Sequence, residues 1–350
     1  MITVKTKRNI LPALLIVICI FLMFKMPYAV SDGIMQGLKI CFYTVLPSLF
    51  PFMVLSLYII KTDILAPLYK ILSPVSRFLF RQPAQSVPVI FMSLIGGFPV
   101  GAKLTASLLS KGQITESQAQ HLNMFCLNGG PAFTVTAVGV SMLSSRRAGV
   151  IIYASLCISA LLIGFLTSFL NEKKFVNNDM RLRGESPLSA LTVSVSDGVQ
   201  SMLGICAWII IFSGIISCLR KMPFHSGIIL TVSALTEVTS GCSEAAGVLP
   251  IPAIAAIIGF GGICVHCQVY QYVAASGLKY RLFFAFRTLH AAIAALICQI
   301  LLTFFPVETS TVNAQSVTVI PFSVSLPAFF ALGIMCIIMV FDVDTKKKMW

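Results

Sequence analysis

Charged side chains are scarce in this sequence, and acidic ones are the scarcest. Asp, Glu, Lys and Arg make up 11% of its 350 residues, whereas about 25% is usual for a soluble domain. There are 12 acidic residues against 25 basic ones, so the chain carries a net charge of +13. This scarcity, together with a mean hydropathy of +0.93, excludes an ordinary soluble domain and indicates a polytopic membrane protein.

Catalytic and metal-binding signatures are missing as well. The chain has no Ser-His-Asp arrangement, no glycine-rich phosphate loop and no His-Glu-x-x-His pair. Its 11 cysteines are scattered through apolar stretches, as expected of small buried side chains in a reducing compartment. Cys264 and Cys267 flank His266 but have no second pair of ligands nearby in the sequence. We therefore expect no enzyme activity, no cofactor and no metal site.

The basic residues lie between apolar runs rather than along one face. This placement argues against a nucleic-acid partner and favours a topological role, because Lys and Arg accumulate in cytoplasmic loops. Basic groups near both termini and in the loops 61–86 and 171–189 then place those regions in the cytoplasm. Arg146, Arg147 and Arg220 would lie outside, against the rule.

The apolar runs predict an all-α polytopic protein of the cell membrane, with about eight transmembrane helices and two re-entrant helical hairpins. A first span is expected at residues 10–24, a span after the middle loop at 199–219 and a last one at 322–341. We divide the chain into an N-terminal transmembrane helix (1–38), a first repeat (39–170), a cytoplasmic linker (171–195), a second, inverted repeat (196–305) and a C-terminal transmembrane helix with a basic tail (306–350).

Glycine, proline and polar residues interrupt four of these segments, two in each half. In the first half the interruptions are 96–99, within the segment 87–109, and 128–131. In the second half they are 236–244, within the segment 227–249, and 259–262. Each half of the segment 87–109 is too short to cross ~30 Å of hydrocarbon. Interrupted backbone survives in a membrane only inside protein or beside a polar cavity. We therefore predict that the interruptions meet at mid-bilayer around one site, in the inverted-repeat arrangement common in secondary transporters.

Several of the interrupted stretches resemble motifs of a known family. They are G-G-F-P-V-G-A-K at 96–103, G-Q-I-T at 112–115, F-C-L-N-G-G-P-A-F at 125–133 and E-V-T-S-G at 237–241. Over nearly the whole chain, the sequence resembles the nucleoside-recognition (Gate) domain and, within it, the YlbJ (SpoVV) family of sporulation integral membrane proteins. The resemblance implies a fold distantly related to concentrative nucleoside transporters. It also implies a spore-forming source and movement of dipicolinic acid from the mother cell across the outer forespore membrane.

A substrate of this kind, a small planar dianion, suits the interrupted segments. Half-helices resuming after Pro99 and Pro131 would offer unpaired N–H groups and a positive dipole end to a carboxylate. The candidate substrate-binding residues are Gly96, Gly97, Phe98, Pro99, Gly101, Lys103, Asn128, Gly129, Gly130, Pro131, Thr134, Thr239, Ser240, Gly241, His266 and Gln268.

Two charged residues in this set have alternative interpretations. Lys103 either compensates the charge of the substrate or extends its side chain to the cytoplasmic surface. Glu237 is the candidate ion-coupling residue, because an acid inside an apolar hairpin is rare and expensive. It either binds the proton or sodium ion that drives transport or forms a structural ion pair with Lys103.

The uncharged candidates and one further basic pair also have more than one interpretation. Asn128 and Thr134 either bind the substrate or hydrogen-bond between helices, and Phe98 either stacks on a substrate ring or packs. Arg287 and His290, one helical turn apart, either pair with a carboxylate or lie near the membrane interface.

The sequence thus predicts a secondary transporter of a small organic anion. Its expected partners are the lipid bilayer, the anion and a coupling cation, H⁺ or Na⁺, and a homo-oligomer is left open. Two alternatives remain, namely a transporter of nucleosides or other small metabolites and a non-transporting membrane protein of a sporulation complex.

Overall fold

The computed structural model describes residues 17, 20–62, 64, 66–170 and 186–307, and these residues are helical with no β-strand among them. The predicted last span and C-terminal lysines, most of the first span and most of the middle loop lie outside the described residues. The helices are α1 Pro27–Ile40, α2 Leu46–Thr62, α3 Ala66–Phe80, α4 Val87–Ile95, α5 Phe98–Ser110, α6 Glu116–Phe125, α7 Arg146–Thr167, α8 Pro187–Arg220, α9 Ser226–Thr236, α10 Val238–Ala245, α11 Ile251–Phe260, α12 Gly262–Ala274 and α13 Tyr280–Phe304, with π-helices π1 Cys41–Val45 and π2 Ala132–Met142.

Within the described residues, four stretches are long and apolar enough to cross a membrane. They are α7, α8, α13 and the α11–α12 pair taken together, and α1 with α2 makes a fifth if its 55° bend is counted within one span. The bend lies close to Pro47, where a proline predicts a kink. The all-α membrane class is therefore confirmed, while the count of about eight spans stays a prediction.

All four predicted interruptions are confirmed as helix breaks. Gly96 and Gly97 separate α4 from α5, and residues 126–131 separate α6 from π2. Glu237 separates α9 from α10, and Gly261 separates α11 from α12. We call α4–α5 the first hairpin, α9–α10 the second hairpin, residues 126–131 the first break and Gly261 with its neighbours the second break.

Local signals explain where several helices begin. The spacing of Thr115 and Gln118 predicts a capping box at α6, and each residue's side chain accepts a hydrogen bond from the other's backbone N–H, at 3.2 and 2.9 Å. We expected helix α8 to begin near Val199, but it begins at Pro187. Ser186 caps this end, and a proline in the first turn has no N–H to lose.

The two halves make reciprocal contacts. Helix α2 of the first half packs on α8 of the second half, and α7 of the first half packs on α13 of the second half. The second arm of the first hairpin, α5, contacts α12 beyond the second break; conversely α10, the second arm of the second hairpin, contacts π2 beyond the first break. In the same way α7 contacts α11 and α13 contacts α6. These are the contacts expected of two related halves, although their inverted orientation stays a prediction.

Close helix packing holds α1 against α8. A Cβ placed on Gly33 would lie 2.6 Å from the carbonyl oxygen of Ser213 and 2.6 Å from the Cβ of Ser217. A Cβ on Gly37 would lie 2.9 Å from the Cα of Ile210. Small residues that let two backbones approach are typical of membrane helix interfaces.

This packing predicts that Gly33→Ala lowers the thermal unfolding temperature of the detergent-solubilised protein. The added methyl group must push α1 away from α8, and overpacking of this kind costs about 1–3 kcal/mol. Gly204→Ala, on α8 with no atom within 4 Å of the new Cβ, is the matched control and should be at least as stable as the wild type. Equal unfolding temperatures for the two variants would contradict the close contact.

Candidate functional site

In each half the hairpin tip rests on the glycines of the broken helix. Gly97, at the first tip, has a φ of +85°. A Cβ placed on Gly130 would lie 3.0 Å from the backbone nitrogen of Gly97. In the second half, a Cβ on Gly262 would lie 3.0 Å from the carbonyl oxygen of Thr236 and 3.2 Å from the nitrogen of Glu237. Within each half, the hairpin tip and the break therefore lie in contact. Contact between interruptions was predicted, whereas their position at mid-bilayer stays a prediction.

Phe98 joins the two pairs. Its ring lies 3.6 Å from a Cβ placed on Gly129 of the first break and 3.5 Å from one placed on Gly261 of the second break. The side chain is buried, so in this conformation Phe98 packs between the breaks of both halves. The four interruptions thus form one cluster, which we call the central cluster.

Arg287, on α13, supplies the cation of the central cluster. Its side chain is 1% exposed, and its guanidinium carbon lies 5.6 Å from the centre of the Phe98 ring. The guanidinium donates hydrogen bonds to the carbonyl oxygens of Leu127 in the first break and of Gly259 and Phe260 in the second. Carbonyls at the end of a helix have no partner within it and carry partial negative charge. One buried cation therefore caps the ends of two half-helices, one from each half of the chain.

His290 supports this arrangement from the next turn of α13. Its Nδ1 lies 3.1 Å from Nη1 of Arg287, and its Nε2 lies 3.1 Å from the carbonyl oxygen of Leu156. Because arginine only donates, Nδ1 must accept and the proton of the neutral ring must be on Nε2. Neither role expected for this pair is observed. Arg287 and His290 bond to main-chain carbonyl oxygens, and such acceptors cannot be identified from the sequence because every residue has one.

Glu237 caps the second hairpin. Its carboxylate accepts hydrogen bonds from the backbone nitrogens of Thr239, at 2.8 Å, and Ser240, at 2.6 Å, at the N-terminus of α10. The side chain is 1% exposed. An ion pair with Lys103, one of the two interpretations of this residue, does not form, because Lys103 bonds to α8 instead. The charge of Glu237 is therefore stabilised by the free N–H groups of a helix end.

The first hairpin has no such cap. The N-cap of α5 is Gly97, which has no side chain to accept a hydrogen bond. Pro99 in the first turn has no N–H, and the N–H of Val100 donates to the carbonyl oxygen of Gly97 at 3.2 Å. The helix therefore does not offer the set of unpaired N–H groups that the sequence led us to expect. Nearby, Asn128 is fully buried and donates to the carbonyl oxygen of Phe125 at 3.3 Å, while its Oδ1 has no hydrogen-bond partner. The two hairpin tips thus differ chemically, since one is occupied by a carboxylate of the protein and the other is not.

The remaining candidates divide between packing and a second location. Thr134 donates to the carbonyl oxygen of Gly130 at 3.0 Å. His266 contacts the carbonyl oxygen of Phe260 at 3.1 Å and lies in an aromatic group with Phe260 and Phe283. A Cβ on any of Gly96, Gly101 or Gly241 would collide with a neighbouring atom, so these glycines serve close packing. Pro131 begins π2.

Lys103 and Gln268 lie instead beside a cleft of about 40 Å³ between α5, α8 and α12. Lys103 donates to the carbonyl oxygen of Asp197 at 2.8 Å and to the hydroxyl of Ser201. The carboxylate of Asp197 pairs with Lys61 at 3.1 Å. The residues that line the cleft are Pro99, Lys103, Gln200, Ser201, Gly204, Ile205, Trp208, Gln268, Gln271 and Tyr272.

An ion pair attaches the second hairpin to the C-terminal end of α8. Arg220 bonds to Oε1 of Glu244, on α10, through Nη2 at 2.8 Å and Nε at 2.9 Å. At ~1.5 Å per residue, Arg220 lies about 35 Å along α8 from Asp197. Each hairpin is therefore attached to α8 through a charged side chain, the first at Asp197 and Ser201 and the second at Arg220.

In the part of the chain that the structure describes, no three His, Cys, Asp or Glu side chains are grouped as a metal site would require. Comparison with known proteins identifies a relative. The chain is 28% identical over 319 residues to the sporulation integral membrane protein YlbJ of Bacillus subtilis (strain 168), a match that covers 79% of this chain and 78% of the relative. No family model matches the chain, so the Gate-domain resemblance stays a prediction. No solved structure matches it either.

The geometry of the central cluster predicts that Arg287→Met strongly destabilises the protein. The carbonyl oxygens of Leu127 and Gly259 would lose their donor, while that of Phe260 would keep its contact with His266. A single unsatisfied buried group already costs about 1–3 kcal/mol. Arg287→Lys should have an intermediate effect, because an ammonium cannot reproduce the guanidinium fork.

Thermal unfolding in detergent measures these effects. The control is Arg281→Met, which removes an exposed arginine near the start of the same helix. If Arg287→Met and Arg281→Met unfolded at the same temperature, Arg287 would not be the cap of the two breaks.

Proposed function

This chain belongs to the family of the sporulation integral membrane protein YlbJ, and we propose that it acts in a membrane during sporulation as a secondary transporter of a small organic anion, dipicolinic acid. Its apolar helices and its integral membrane relative make it a multi-pass membrane protein. The substrate and the direction of movement follow from the resemblance of the interrupted motifs. The observation that carries the proposal is the meeting of four helix interruptions from both halves in one cluster, in which a buried cation joins the first break to the second.

Broken helices favour transport because they are costly in a membrane. Each break removes backbone hydrogen bonds that water cannot replace in hydrocarbon. A protein with only an assembly role would gain the same anchoring from unbroken helices. Transporters place such breaks at mid-membrane, where helix ends and free carbonyls face the substrate and coupling ion.

The two hairpin tips suggest how an anion would bind. The tip of the second hairpin is occupied by the carboxylate of Glu237, which accepts hydrogen bonds from two backbone N–H groups. We propose that a substrate carboxylate binds beside the first turn of α5, next to Gly97 and Phe98, where the protein places no acidic side chain. It cannot copy the contacts of Glu237, because the second residue of α5 is Pro99, which has no N–H, and the N–H of Val100 donates to the carbonyl oxygen of Gly97 at 3.2 Å. Arg287, whose guanidinium lies 5.6 Å from the Phe98 ring centre, would add its positive field to that position.

We further propose that the halves form an inverted repeat and that the two attachments to α8 act as alternating gates. They lie about 35 Å apart along the helix, slightly more than the ~30 Å thickness of the hydrocarbon core. Release of Lys103 from α8 would free the first hairpin, and release of Arg220 from Glu244 would free the second. By the positive-inside rule the Lys103 end is cytoplasmic, and Glu244 offsets the charge of Arg220 at the outer end.

Glu237 is our candidate for coupling to a cation. It is a buried carboxylate beside the second break, and among the described residues no lysine or arginine lies within ion-pair distance of it. A proton or a sodium ion arriving there would neutralise the carboxylate and weaken its hold on the N-terminus of α10. Cation binding would thereby change the conformation of the second hairpin.

Uptake by proteoliposomes tests the function. We expect labelled dipicolinate to accumulate in vesicles that contain the full chain, driven by an imposed proton or sodium gradient, while labelled uridine does not. Vesicles without protein are the control. Preference for uridine would instead support a nucleoside transporter, and absence of uptake of either compound would leave a non-transporting role in sporulation.

Replacing Glu237 tests the coupling site. Glu237→Gln retains one side-chain oxygen to cap α10 but cannot take up a proton or carry a charge. We expect normal membrane insertion and an initial uptake rate lower by roughly tenfold or more. Glu116→Gln, at an exposed acid in the first turn of α6, is the matched control. Wild-type uptake by the Glu237→Gln protein would exclude Glu237 from coupling.

A further inference from the structure

We propose that the cleft beside Lys103 is a vestibule that binds the carboxylate group of a planar aromatic anion before it reaches the central cluster. The inference rests on the proposed transport of an organic anion, and it adds a second binding site with its own ligand chemistry. The vestibule lies between α5, α8 and α12, so it is formed by helices from both halves.

The size of the cleft fits a carboxylate group rather than a whole aromatic acid. Its volume is about 40 Å³, which is room for a few water molecules. Pro99 and Gln268 are buried at its base, whereas Gln200, Trp208 and Gln271 are exposed at its rim. A carboxylate can therefore displace water inside the cleft while the attached ring stays at the rim.

The charges around the cleft favour an anion. Lys103 donates to two neutral oxygens, the carbonyl of Asp197 and the hydroxyl of Ser201. The carboxylate of Asp197 is paired with Lys61. This group of two lysines and one acid carries an excess positive charge. An ammonium has three donors, so Lys103 has one left for a ligand carboxylate, and hydrogen bonds of that charged type are strong.

The uncharged lining residues favour an aromatic ligand. Trp208 and Tyr272 present ring surface to the cleft, and offset or edge-to-face ring contacts add stability beyond the burial of area. The side-chain amides of Gln200, Gln268 and Gln271 can donate to a carboxylate or accept from a ring substituent. Lipid is a poor occupant, because a lysine and three glutamines are expensive to expose to hydrocarbon.

The vestibule is next to the central cluster. Pro99, at its base, is the second residue of α5 and follows Phe98 at the first hairpin tip. A carboxylate that leaves Lys103 therefore has one turn of α5 to travel before it reaches the uncapped N-terminus of that helix. Because Lys103 is bonded only to neutral oxygens of α8, a carboxylate that arrives in the cleft can replace them as its acceptor.

Intrinsic fluorescence can report on the vestibule directly. The chain has two tryptophans, Trp208 in the cleft and Trp350 at the C-terminus. In a Trp350→Phe background, we expect pyridine-2,6-dicarboxylate to quench Trp208 saturably and glutarate, an aliphatic diacid, to do so weakly. Lys103→Met should weaken binding of the pyridine acid by about tenfold or more, and Lys103→Arg should retain it.

Lys111→Met, at an exposed lysine at the end of the same hairpin arm, is the matched control. Quenching that is equally strong in Lys103→Met and Lys111→Met, or that does not saturate, would overturn the vestibule. So would equal binding of glutarate, since the aromatic wall would then have no role.

The same preparations separate this proposal from the transport function. Uptake of dipicolinate without saturable quenching of Trp208 would remove the vestibule and leave the transporter intact. Saturable quenching that depends on Lys103, without uptake under any gradient, would retain the binding site and remove the transporter.

Discussion

The hydrogen bonds of one buried guanidinium hold the interrupted helices of this protein together. A helix that breaks inside a membrane leaves carbonyl groups that neither water nor its own backbone can satisfy. Arg287 donates to such carbonyls in both breaks, at Leu127 and at Gly259 and Phe260. Because these acceptors come from different halves of the chain, the interaction also fixes how the halves meet. The tight glycine contacts at the hairpin tips depend on that alignment.

Glu237 and Lys103 are also stabilised by polar groups of opposite partial charge, but they leave the two hairpins chemically different. Glu237 occupies the N-terminus of α10, so a negative group lies at a positive helix end. Lys103 differs because it bonds only to neutral oxygens, and the first hairpin has no cap. The charges of the second hairpin are therefore satisfied by groups of the protein, while the first hairpin carries Lys103 and has no acidic side chain at its tip. That asymmetry underlies our proposal that an anion binds on the side of the first hairpin.

Local sequence predicted the breaks but not the contacts that stabilise them. Glycine and proline at Gly97, Pro131 and Gly261 disfavour a helix whatever surrounds them, so the interruptions and their meeting in one cluster could be anticipated. The role of Arg287 could not, since its acceptors are main-chain carbonyls that any residue carries. The attachment of Lys103 to α8 was missed for the same reason, and the start of α8 was missed because the Ser186–Pro187 signal precedes the apolar run.

Amide hydrogen exchange in the Arg287→Lys variant tests the shared cap most directly. Lysine keeps the charge, but its single ammonium cannot reproduce the planar guanidinium fork that reaches Leu127 on one side and Gly259 and Phe260 on the other. We expect faster exchange than in the wild type in two separate segments, around Leu127 and around Phe260, with little change in α7 between them. Faster exchange confined to the segment around Phe260, with the first break as protected as before, would contradict the idea that one cation holds both halves.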